Sequence, residues 1–590
     1  MLLYITTKNT NFSTMSRLFI LLLILTSNII TAQRFLNLDF EYATKGMDKP
    51  QNWSSRLGSY IVTLDSIEVS SGNMSLKIDG TNPIDGDFGV CTSYFPAEFV
   101  INKSIEFKGK IKTESLTNGY AGLWWRVDDK DNNILGFDNM SDRGLIGTND
   151  WTEVSIKMDI PATTERIFFG GLFVGNGIAW FDDFQVWIDG EKFTDAEPKI
   201  LKPTEERLAW LRKYIHPIQS FNPSFENIQD LETFGELIGD AKVVALGETT
   251  HGSSEIFQMK HRLIKYLNQH KGFDIFSIEA NMPEAYKVNE YTLEGKGNPE
   301  DLIKGMYFWT WSTHEMLALV EWMKEQNKTD NKIQFTGFDM QYYQESINEL
   351  KNGFAENSTL VKGIEELEFI LNTVKKNAKG SVGITIQEPD KSRTEEIISA
   401  IKKSIEGWNE NKTQKAWLSQ NVRLVEQFLG KTYFSRDKFM AENLEWINEQ
   451  NPDSKIAIWA HNGHIKKVGN SMGKILAQSL KEDYLSVGFT FHKGSYTAVG
   501  KKGLNTYEAQ ESFEGTYEYL FQALDEPIFL LDLRQIKEDN SEHGKWLREN
   551  LEFRSVGAAK VDNEFKTTIL KDDFDIIIFI NESTNSKLLR

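Results

Sequence analysis

Beyond residue 207 the chain repeats one pattern, a short apolar run followed by a helical stretch. In the helical stretches apolar residues recur at every third or fourth position, which is typical of a helix with one buried face. One such stripe consists of Ile256, Met259, Leu263 and Leu267. The apolar runs lie at 242–246, 273–278, 333–338, 455–460, 485–491, 528–532 and 575–580. Alternation of strands and helices predicts an α/β domain with a mostly parallel sheet.

The first part of the chain has a different periodicity. From residue 34 to about 190, short alternating runs are broken by Gly, Asn and Asp, which predicts an all-β sandwich. A polar stretch at 191–206 predicts a linker to the α/β domain at 207–590. The interval of about 345–449 lacks strong strands and predicts a helical insert, which could close over the strand ends or only pad the sheet. We therefore expect a multidomain protein, since 590 residues exceed one ordinary core.

The N-terminus has the layout of a secretory signal. Arg17 precedes an apolar run at 18–25, and the small residues Thr31 and Ala32 mark the expected cut. The run is too short to cross a bilayer, which takes roughly 20 apolar residues. We expect residues 1–32 to be removed on export, leaving a secreted or periplasmic protein without a stable membrane span.

Charge and cysteine content disfavour several classes of function. The chain carries 66 basic and 85 acidic residues, a formal net charge of -19, and has no basic block, so nucleic-acid binding is not expected. Cys91 is the only cysteine, which excludes an intrachain disulfide and a cysteine-based zinc cluster. We expect its thiol to be packed and inert.

Several of the apolar runs of the second domain are followed at once by histidines or carboxylates. These residues are Glu248, His251, Glu279, Asp339, His461 and His464. In an open parallel sheet the ligand site lies outside the carboxyl ends of the strands. We therefore expect these side chains to meet in one crevice, with the groups that acid–base hydrolysis requires.

His251 is the leading candidate for a general base on local grounds. It directly precedes a helix, where the helix dipole disfavours a protonated ring, and a neutral imidazole accepts a proton from water. Glu248 could orient the ring, as a carboxylate does in hydrolase triads. A Gly-x-Ser-x-Gly match occurs at 469–473, but no apolar run directly precedes it, as a nucleophile elbow requires. The chain has no Walker loop, Rossmann fingerprint or His-Glu-x-x-His helix.

The ordered set of motifs resembles the erythromycin esterase family. The motifs lie at 244–252, 276–280, 309–316, 337–341 and 459–464, within a resemblance that covers about 205–589. The resemblance implies hydrolysis of a carboxylic ester, in the prototypes the lactone ring of macrolide antibiotics. It also implies water activated by histidine, without a serine nucleophile.

The resemblance further implies roles for individual residues. The catalytic set would be His251, Glu248, Glu279, His461 and His464. The substrate-binding set would be Glu255, Lys260, Trp309, Trp311, Glu315, Asp339 and Gln341. Which histidine takes the proton stays open, and Arg262 is an alternative to Lys260 as the basic residue that follows the first motif.

The first domain resembles jelly-roll carbohydrate-binding modules and their galactose-binding-like relatives. The resemblance rests on two motifs, at 37–41 and 179–186. It implies a jelly roll with possible sugar binding, through tryptophans that could equally be core residues: Trp53, Trp124, Trp125 and Trp180. An exported enzyme with such a module suggests an acyl group on a polysaccharide or glycoside as the ester, rather than a macrolide.

Two alternatives stay open at this point. In the first, a metal-dependent hydrolase, Zn²⁺ or Mn²⁺ is bound by Glu248, His251, Glu279 and one of the later histidines. In the second, a glycan-binding surface protein, the α/β domain is inert. The favoured hypothesis is a hydrolase of carboxylic esters that uses no cofactor and acts on a small-molecule or glycan ester.

Overall fold

The computed structural model describes residues 35–43, 48–55, 58–84, 86–196, 202–377, 386–408, 411–432, 435–539 and 541–589. The chain divides into two compact units, Met1–Pro198 and Lys199–Arg590, and this division falls within the predicted linker. The predicted secretory signal at 1–32 lies outside the described residues and stays a prediction. None of the described helices is long and apolar enough to cross a membrane.

The N-terminal unit is built from antiparallel strands. They are β1 Ser54–Ser55, β2 Ile61–Asp65, β3 Ser75–Gly80, β4 Gly89–Tyr94, β5 Ser104–Asp128, β6 Ile134–Asp138, β7 Leu145–Asp159, β8 Arg166–Ile188 and β9 Glu191–Lys192. The long strands β5 and β8 pair along most of their length, with register shifts near Gly119 and Gly175. Glycine is required there, because a side chain on Gly119 would collide with the Val174 carbonyl and Gly175 has a φ of 101°.

Inward-facing aromatic rings form the core of this unit. Trp53 and Trp125 belong to this core, and Trp180 is also buried. Of the four tryptophans considered for sugar stacking, only Trp124 is partly exposed. Cys91 is a buried free thiol whose pKa is raised by burial, which confirms the expectation of an inert side chain.

The C-terminal unit is centred on one mixed sheet with strand order β10-β17-β20-β15-β11-β14-β12-β13. The strands of this unit are β10 Ile215–Pro217, β11 Val243–Leu246, β12 Ile275–Asn281, β13 Gln334–Asp339, β14 Ile456–Trp459, β15 Tyr484–Gly500, β16 Gly503–Glu508, β17 Ile528–Asp532, β18 Leu551–Arg554, β19 Phe565–Thr568 and β20 Ile576–Ser583. From β20 to β13 every neighbouring pair is parallel. Antiparallel pairing joins β17 to β20 and to β10, and forms the hairpins β15–β16 and β18–β19.

Helices connect the strands and cover both faces of the sheet. They are α1 Glu205–Leu211, α2 Gln229–Ile238, α3 Ser254–Lys271, α4 Met282–Glu294, α5 Pro299–Gly305, α6 His314–Gln326, α7 Gln344–Gly353, α8 Ser358–Asn377, α9 Asp390–Glu406, α10 Lys412–Gly430, α11 Arg436–Gln450, α12 Asn462–Ile465, α13 Met472–Leu480, α14 Tyr517–Gln522, α15 Leu533–Ile536 and α16 Leu570–Asp573.

Alternate strand residues face opposite sides, so the sheet has two apolar cores. In β11, Val244 and Leu246 pack with residues of α2, α3, α4 and α6, whereas Val243 and Ala245 pack with α1, α11 and α13. Helices α7 to α11 follow β13 without an intervening strand among the described residues, at the position of the predicted insert. Part of this insert has a core of its own, around Tyr343, Ile401 and Phe428.

Candidate active site

Neighbouring parallel strands end together at the candidate site. Across the sheet they follow the order β11, β14, β12 and β13. Glu248 and His251 follow β11, and His461 and His464 follow β14. Glu279 lies near the carboxyl end of β12, and Asp339 is the last residue of β13. The structure therefore brings together the histidines and carboxylates that the sequence places after separate strands.

Glu248 and His251 form a buried hydrogen-bonded pair. His251 Nδ1 lies 2.6 Å from Glu248 Oε1, and the other oxygen, Oε2, accepts from Lys260 Nζ at 2.7 Å and from Trp459 Nε1 at 2.6 Å. A carboxylate only accepts hydrogen bonds, so Nδ1 of His251 carries a proton, and in the neutral ring the lone pair lies on Nε2. No described residue bonds to this Nε2, which leaves it available to a ligand or to water.

Lys260 supplies the positive charge beside Glu248. Its ammonium group is fully buried and lies 4.3 Å from the centre of the Trp459 ring. Burial lowers the pKa of Lys260 to about 8, although the adjacent Glu248 carboxylate opposes the shift. The alternative basic residue, Arg262, instead forms an ion pair with Asp230 at 2.7 Å. Lys260 is thus the basic residue of this helix that reaches the site.

His461 lies beside His251, with ring centres 5.3 Å apart, but both of its nitrogens are engaged. Nδ1 accepts from the Gly463 backbone N–H at 3.0 Å, so Nε2 carries the proton and donates to the Thr249 carbonyl at 3.3 Å. Burial, together with the neighbouring His251 and His464, holds the pKa of His461 well below its usual value. This ring is neutral and positions the backbone around it.

Glu279 and His464 belong to a second charged group in the site. Glu279 Oε1 accepts from Arg436 Nη2 at 2.8 Å and lies 3.3 Å from His464 Nε2, while Oε2 accepts from the His461 backbone N–H at 3.0 Å. Burial raises the pKa of Glu279, but His464 and Arg436 outweigh it and hold the pKa well below the usual range. Glu279 is therefore a carboxylate with two cationic partners.

His464 is the protonated histidine of the site. Burial lowers its pKa, but Glu279 and Asp437 outweigh burial and raise the pKa to about 10. Its Nδ1 donates to Asp437 Oδ1 at 2.9 Å. Arg436 Nη1 lies 3.1 Å from His464 Nε2. When the ring is protonated neither of these groups can accept from the other, and Glu279, which both contact, neutralises them. Both cations are thus paired with carboxylates: Arg436 with Glu279 and Asp339, and His464 with Glu279 and Asp437.

Asp339 completes this group from the end of β13. It is fully buried and accepts from Arg436 Nη2 at 2.7 Å and from Gln341 Nε2 at 2.7 Å. The backbone N–H of Gln341 donates to Asn281 Oδ1 at 2.8 Å. Asp339 and Gln341, which the family resemblance assigns to substrate binding, thus hold Arg436 and one another.

Arg436 and Asp437 are site residues that sequence reasoning missed. They open α11, the last helix of the insert, and reach the strand ends from outside the sheet. Nothing local distinguishes them, because an Arg-Asp pair in the first turn of a helix is common. The sequence does indicate that two buried carboxylates follow strands and require a cation nearby. It does not show which residue supplies that cation.

The two predicted tryptophans have different surroundings. Trp311 is buried, donates from Nε1 to the Glu279 carbonyl at 3.1 Å and packs edge-on against His251 with ring centres 6.0 Å apart. Trp309 is partly exposed and lines a cavity of about 250 Å³ with Phe308 and Leu588. Trp311 therefore belongs to the wall of the catalytic group, and Trp309 to a separate depression.

Glu255 and Glu315, the other predicted substrate-binding residues, are engaged with the C-terminal segment. Glu255 accepts from the Thr584 backbone N–H and hydroxyl, and Glu315 accepts from the Ser254 hydroxyl and the Lys587 backbone N–H. The structure gives neither carboxylate a hydrogen bond to the site histidines.

Apart from His251 Nε2, the donor atoms that a metal-dependent reaction would need are already engaged. Glu248 neutralises Lys260, Glu279 neutralises Arg436 and His464, and His461 uses both ring nitrogens for backbone groups. In the part of the chain that the structure describes, no group of three His, Cys, Asp or Glu side chains is arranged to hold a metal ion. The residues present do not fit a bound divalent cation.

Comparison with known proteins places this site in a family. The Bacillus subtilis protein YbfO is 23% identical over 427 residues, covering 65% of this chain and 92% of YbfO. Erythromycin esterase type II of Escherichia coli is 23% identical over 390 residues, covering 56% of this chain and 89% of that enzyme. A Bacillus cereus protein of known crystal structure covers 66% of this chain and 100% of its own, with 26% identity and a TM-score of 0.59.

The family model described as erythromycin esterase matches residues 268–583, more than half of the chain. The match begins inside α3, so the motif that carries Glu248 and His251 precedes it, whereas Glu279, Asp339, His461 and His464 lie within it. The order of these residues along the sheet and the extent of the match lead to one conclusion. This chain belongs to the erythromycin esterase family.

Proposed function

We propose that the C-terminal unit hydrolyses a carboxylic ester or lactone by attack of a water molecule that His251 activates. The observation that carries the proposal is the state of the His251 ring. Nδ1–H is held by the Glu248 carboxylate at 2.6 Å, so in the neutral ring the lone pair lies on Nε2, to which no described residue hydrogen-bonds. Of the three site histidines, His461 has no free nitrogen and His464 is already protonated, so His251 is the one that can take a proton.

The reaction follows from these roles. Nε2 of His251 accepts a proton from water as the oxygen attacks the carbonyl carbon, and the C=O electron pair moves onto the carbonyl oxygen. The tetrahedral intermediate then breaks its bond to the alcohol oxygen, and the imidazolium of His251 returns the proton to that oxygen. Glu248 stabilises the imidazolium that forms during the reaction.

Neighbouring serine hydroxyls are occupied, which supports direct attack by water. Ser253 Oγ caps α3 by accepting from the Ile256 backbone N–H, and it also accepts from Ser583 Oγ. Ser254 Oγ donates to Glu315 Oε1 at 2.5 Å. The hydroxyls of Ser253 and Ser254 thus form structural hydrogen bonds and are not placed as nucleophiles.

A panel of simple aryl esters tests the proposed reaction. We expect the purified protein to turn over at least one of them at a rate that neither a chelator nor a serine-directed covalent inhibitor changes. Turnover that a chelator removes and Zn²⁺ or Mn²⁺ restores would support the metal-dependent alternative. Absence of turnover across aryl esters, macrolides and acylated polysaccharides would contradict the proposal.

We further propose that the N-terminal unit binds the pyranose rings of a polysaccharide on one face of its sheet. A row of side chains crosses four paired strands on this face: Tyr94, Phe168, Arg126 and Phe137. Tyr94 and Phe137 are 61% and 54% exposed, and the rings of Tyr94 and Phe168 lie 4.7 Å apart. Exposed aromatic rings of this kind offer apolar faces to sugar rings.

The next row across the same strands offers polar groups. Gly170 lies between Thr92 and Trp124, and neither the Thr92 hydroxyl nor Trp124 Nε1 has a hydrogen-bond partner within the described part of the chain. Buried polar groups usually have partners, and hydroxyl groups of a sugar would supply them. With the predicted export of the chain, this face favours a polysaccharide or glycoside ester as the substrate of the C-terminal unit.

Retention on insoluble polysaccharides tests the face directly. We expect Tyr94→Ala and Trp124→Ala to weaken retention of the full chain about tenfold, because each removes aromatic contact area. Ile67→Ala is the matched control, since Ile67 is 84% exposed and lies outside these two rows. Equal retention of all variants and the unmodified chain would contradict the proposed face.

A further inference from the structure

From the last residue of β20 the chain continues as a segment, residues 583–589, that lies across the starts of two helices. We name it the C-terminal strap. Ser586 donates its backbone N–H to the Gly252 carbonyl at 2.7 Å, and the Thr584 carbonyl accepts from the Ser254 backbone N–H at 2.9 Å. Further along, the Lys587 carbonyl accepts from the His314 backbone N–H at 2.7 Å. The strap thus joins the beginning of α3 to the beginning of α6.

Two buried carboxylates hold the strap in place. Glu255, 8% exposed, accepts from the Thr584 backbone N–H at 2.5 Å and from its hydroxyl at 2.6 Å. Glu315, 9% exposed, accepts from the Lys587 backbone N–H at 3.1 Å and from the Ser254 hydroxyl at 2.5 Å. Charge-assisted hydrogen bonds of this kind are about twice as strong as neutral ones.

Gly252, the residue after His251, is enclosed by the strap and by β15. Its carbonyl accepts from the backbone N–H groups of both Thr497 and Ser586, at 3.0 and 2.7 Å. A side chain at this position would place its Cβ only 1.9 Å from the Thr497 carbonyl oxygen. The backbone next to His251 is therefore closely enclosed at Gly252, and the strap contacts it on one side.

The strap also fixes the second neighbour of the His251 ring. Leu589 donates its backbone N–H to the Ser312 carbonyl at 2.9 Å, and Leu588 pairs with Thr313. These residues follow Trp311, whose ring packs against His251. The strap thus forms hydrogen bonds both to the backbone next to His251 and to the residues that follow Trp311.

We propose that the C-terminal strap positions His251 for catalysis, with Glu255 and Glu315 as the positioning residues that hold it. The inference rests on the proposed role of His251 as the base. The family match ends at Ser583, so all but the first residue of the strap lies beyond the matched segment. Misplacement of a reacting group by about 1 Å costs on the order of 10²-fold in rate, so a tether on the neighbouring residue matters.

The test compares the full chain with a chain that ends at Glu582. We expect truncation to lower kcat for an aryl ester by about tenfold to 10²-fold with little change in KM. We also expect loss of the downfield proton resonance of His251 Nδ1–H, which reports its bond to Glu248. Addition of a synthetic peptide of residues 583–590 should restore both kcat and the resonance.

A second variant covers the case in which the truncated chain does not fold. Glu255→Gln combined with Glu315→Gln keeps the strap but weakens its hold, and we expect the same loss of kcat and of the resonance on a smaller scale. Glu582→Gln is the matched control, because Glu582 is exposed and the structure gives its side chain no described partner. This control should leave both readouts unchanged.

The outcomes separate this inference from the proposed function. An unchanged kcat in the truncated chain and in the double variant would overturn the positioning role, as would a lowered kcat with an intact Nδ1–H resonance. A His251→Ala variant that retains full activity would instead contradict the proposed function itself.

Discussion

Replacing His251 with alanine should lower kcat for an aryl ester by about 10²–10⁴-fold, the usual contribution of a general base. The loss follows from the free Nε2 of this ring, because no other histidine of the site can accept a proton in its place. KM should change little, since the ring acts on water rather than on the bound ester. Steady-state kinetics of the purified variant, with circular dichroism to confirm its fold, measures the effect.

Two further histidine variants make this result specific. His461→Asn should cost less than His251→Ala, because His461 acts only through the Thr249 and Gly463 backbone. His270→Ala is the control, since His270 is exposed at the end of α3 and its ring packs on Tyr266. Equal rates for the unmodified chain and His251→Ala would remove His251 from the proposed mechanism.

Arg436→Met should destabilise the C-terminal unit by about 3–5 kcal/mol, the usual cost of removing one partner from a buried ion pair. The variant would leave Glu279 and Asp339, 6% and 0% exposed, without the guanidinium that bridges them. Methionine keeps much of the side-chain volume, so the loss reports charge rather than a cavity. Urea unfolding, followed by a probe in the C-terminal unit, measures the free energy of unfolding.

The pH of this measurement matters because His464 is the remaining cation. Its pKa rises from about 6.5 in the unfolded chain to about 10 in the folded one. A raised folded pKa means that its stabilising contribution is complete below the unfolded value and is lost as pH rises towards the folded one. Measurement at about pH 6 therefore isolates the effect of Arg436.

A surface arginine of the same insert provides the control. Arg423 pairs with Glu442 at 2.6 Å, but its side chain is 43% exposed. Arg423→Met should therefore cost no more than about 1 kcal/mol. A similar cost for both arginine variants would contradict the buried role of Arg436.

Much of this architecture could be predicted from periodicity alone. Buried parallel strands are short and continuously apolar, so β11, β12 and β14 stand out in sequence, and the polar residue that follows each one marks the edge where ligands bind. Glu248, Glu279 and His461 were identified in this way. The sequence also indicated the helical insert, because long amphipathic stretches without strands have few other structures available.

Other features depend on packing between distant segments and had no local signal. Arg436 reaches the site only because α11 returns against the sheet. Glu255 and Glu315 have the same sequence context whether they bind a substrate or hold the strap, and only the position of the C-terminus shows their partners. In the N-terminal unit, strand alternation does not decide which face a tryptophan occupies, and Trp124 and Trp125 face opposite sides.

The delivery of Arg436 by the last helix of the insert has a consequence for how this family can vary. An insert with its own core would ordinarily tolerate shortening, exchange between relatives or replacement by a designed helical pair. Here any exchanged segment must end before residue 435, so that the chain keeps its own Arg436 and Asp437 beside the sheet. A chimaera that trades the whole of α11 would exchange part of the active site along with its surroundings.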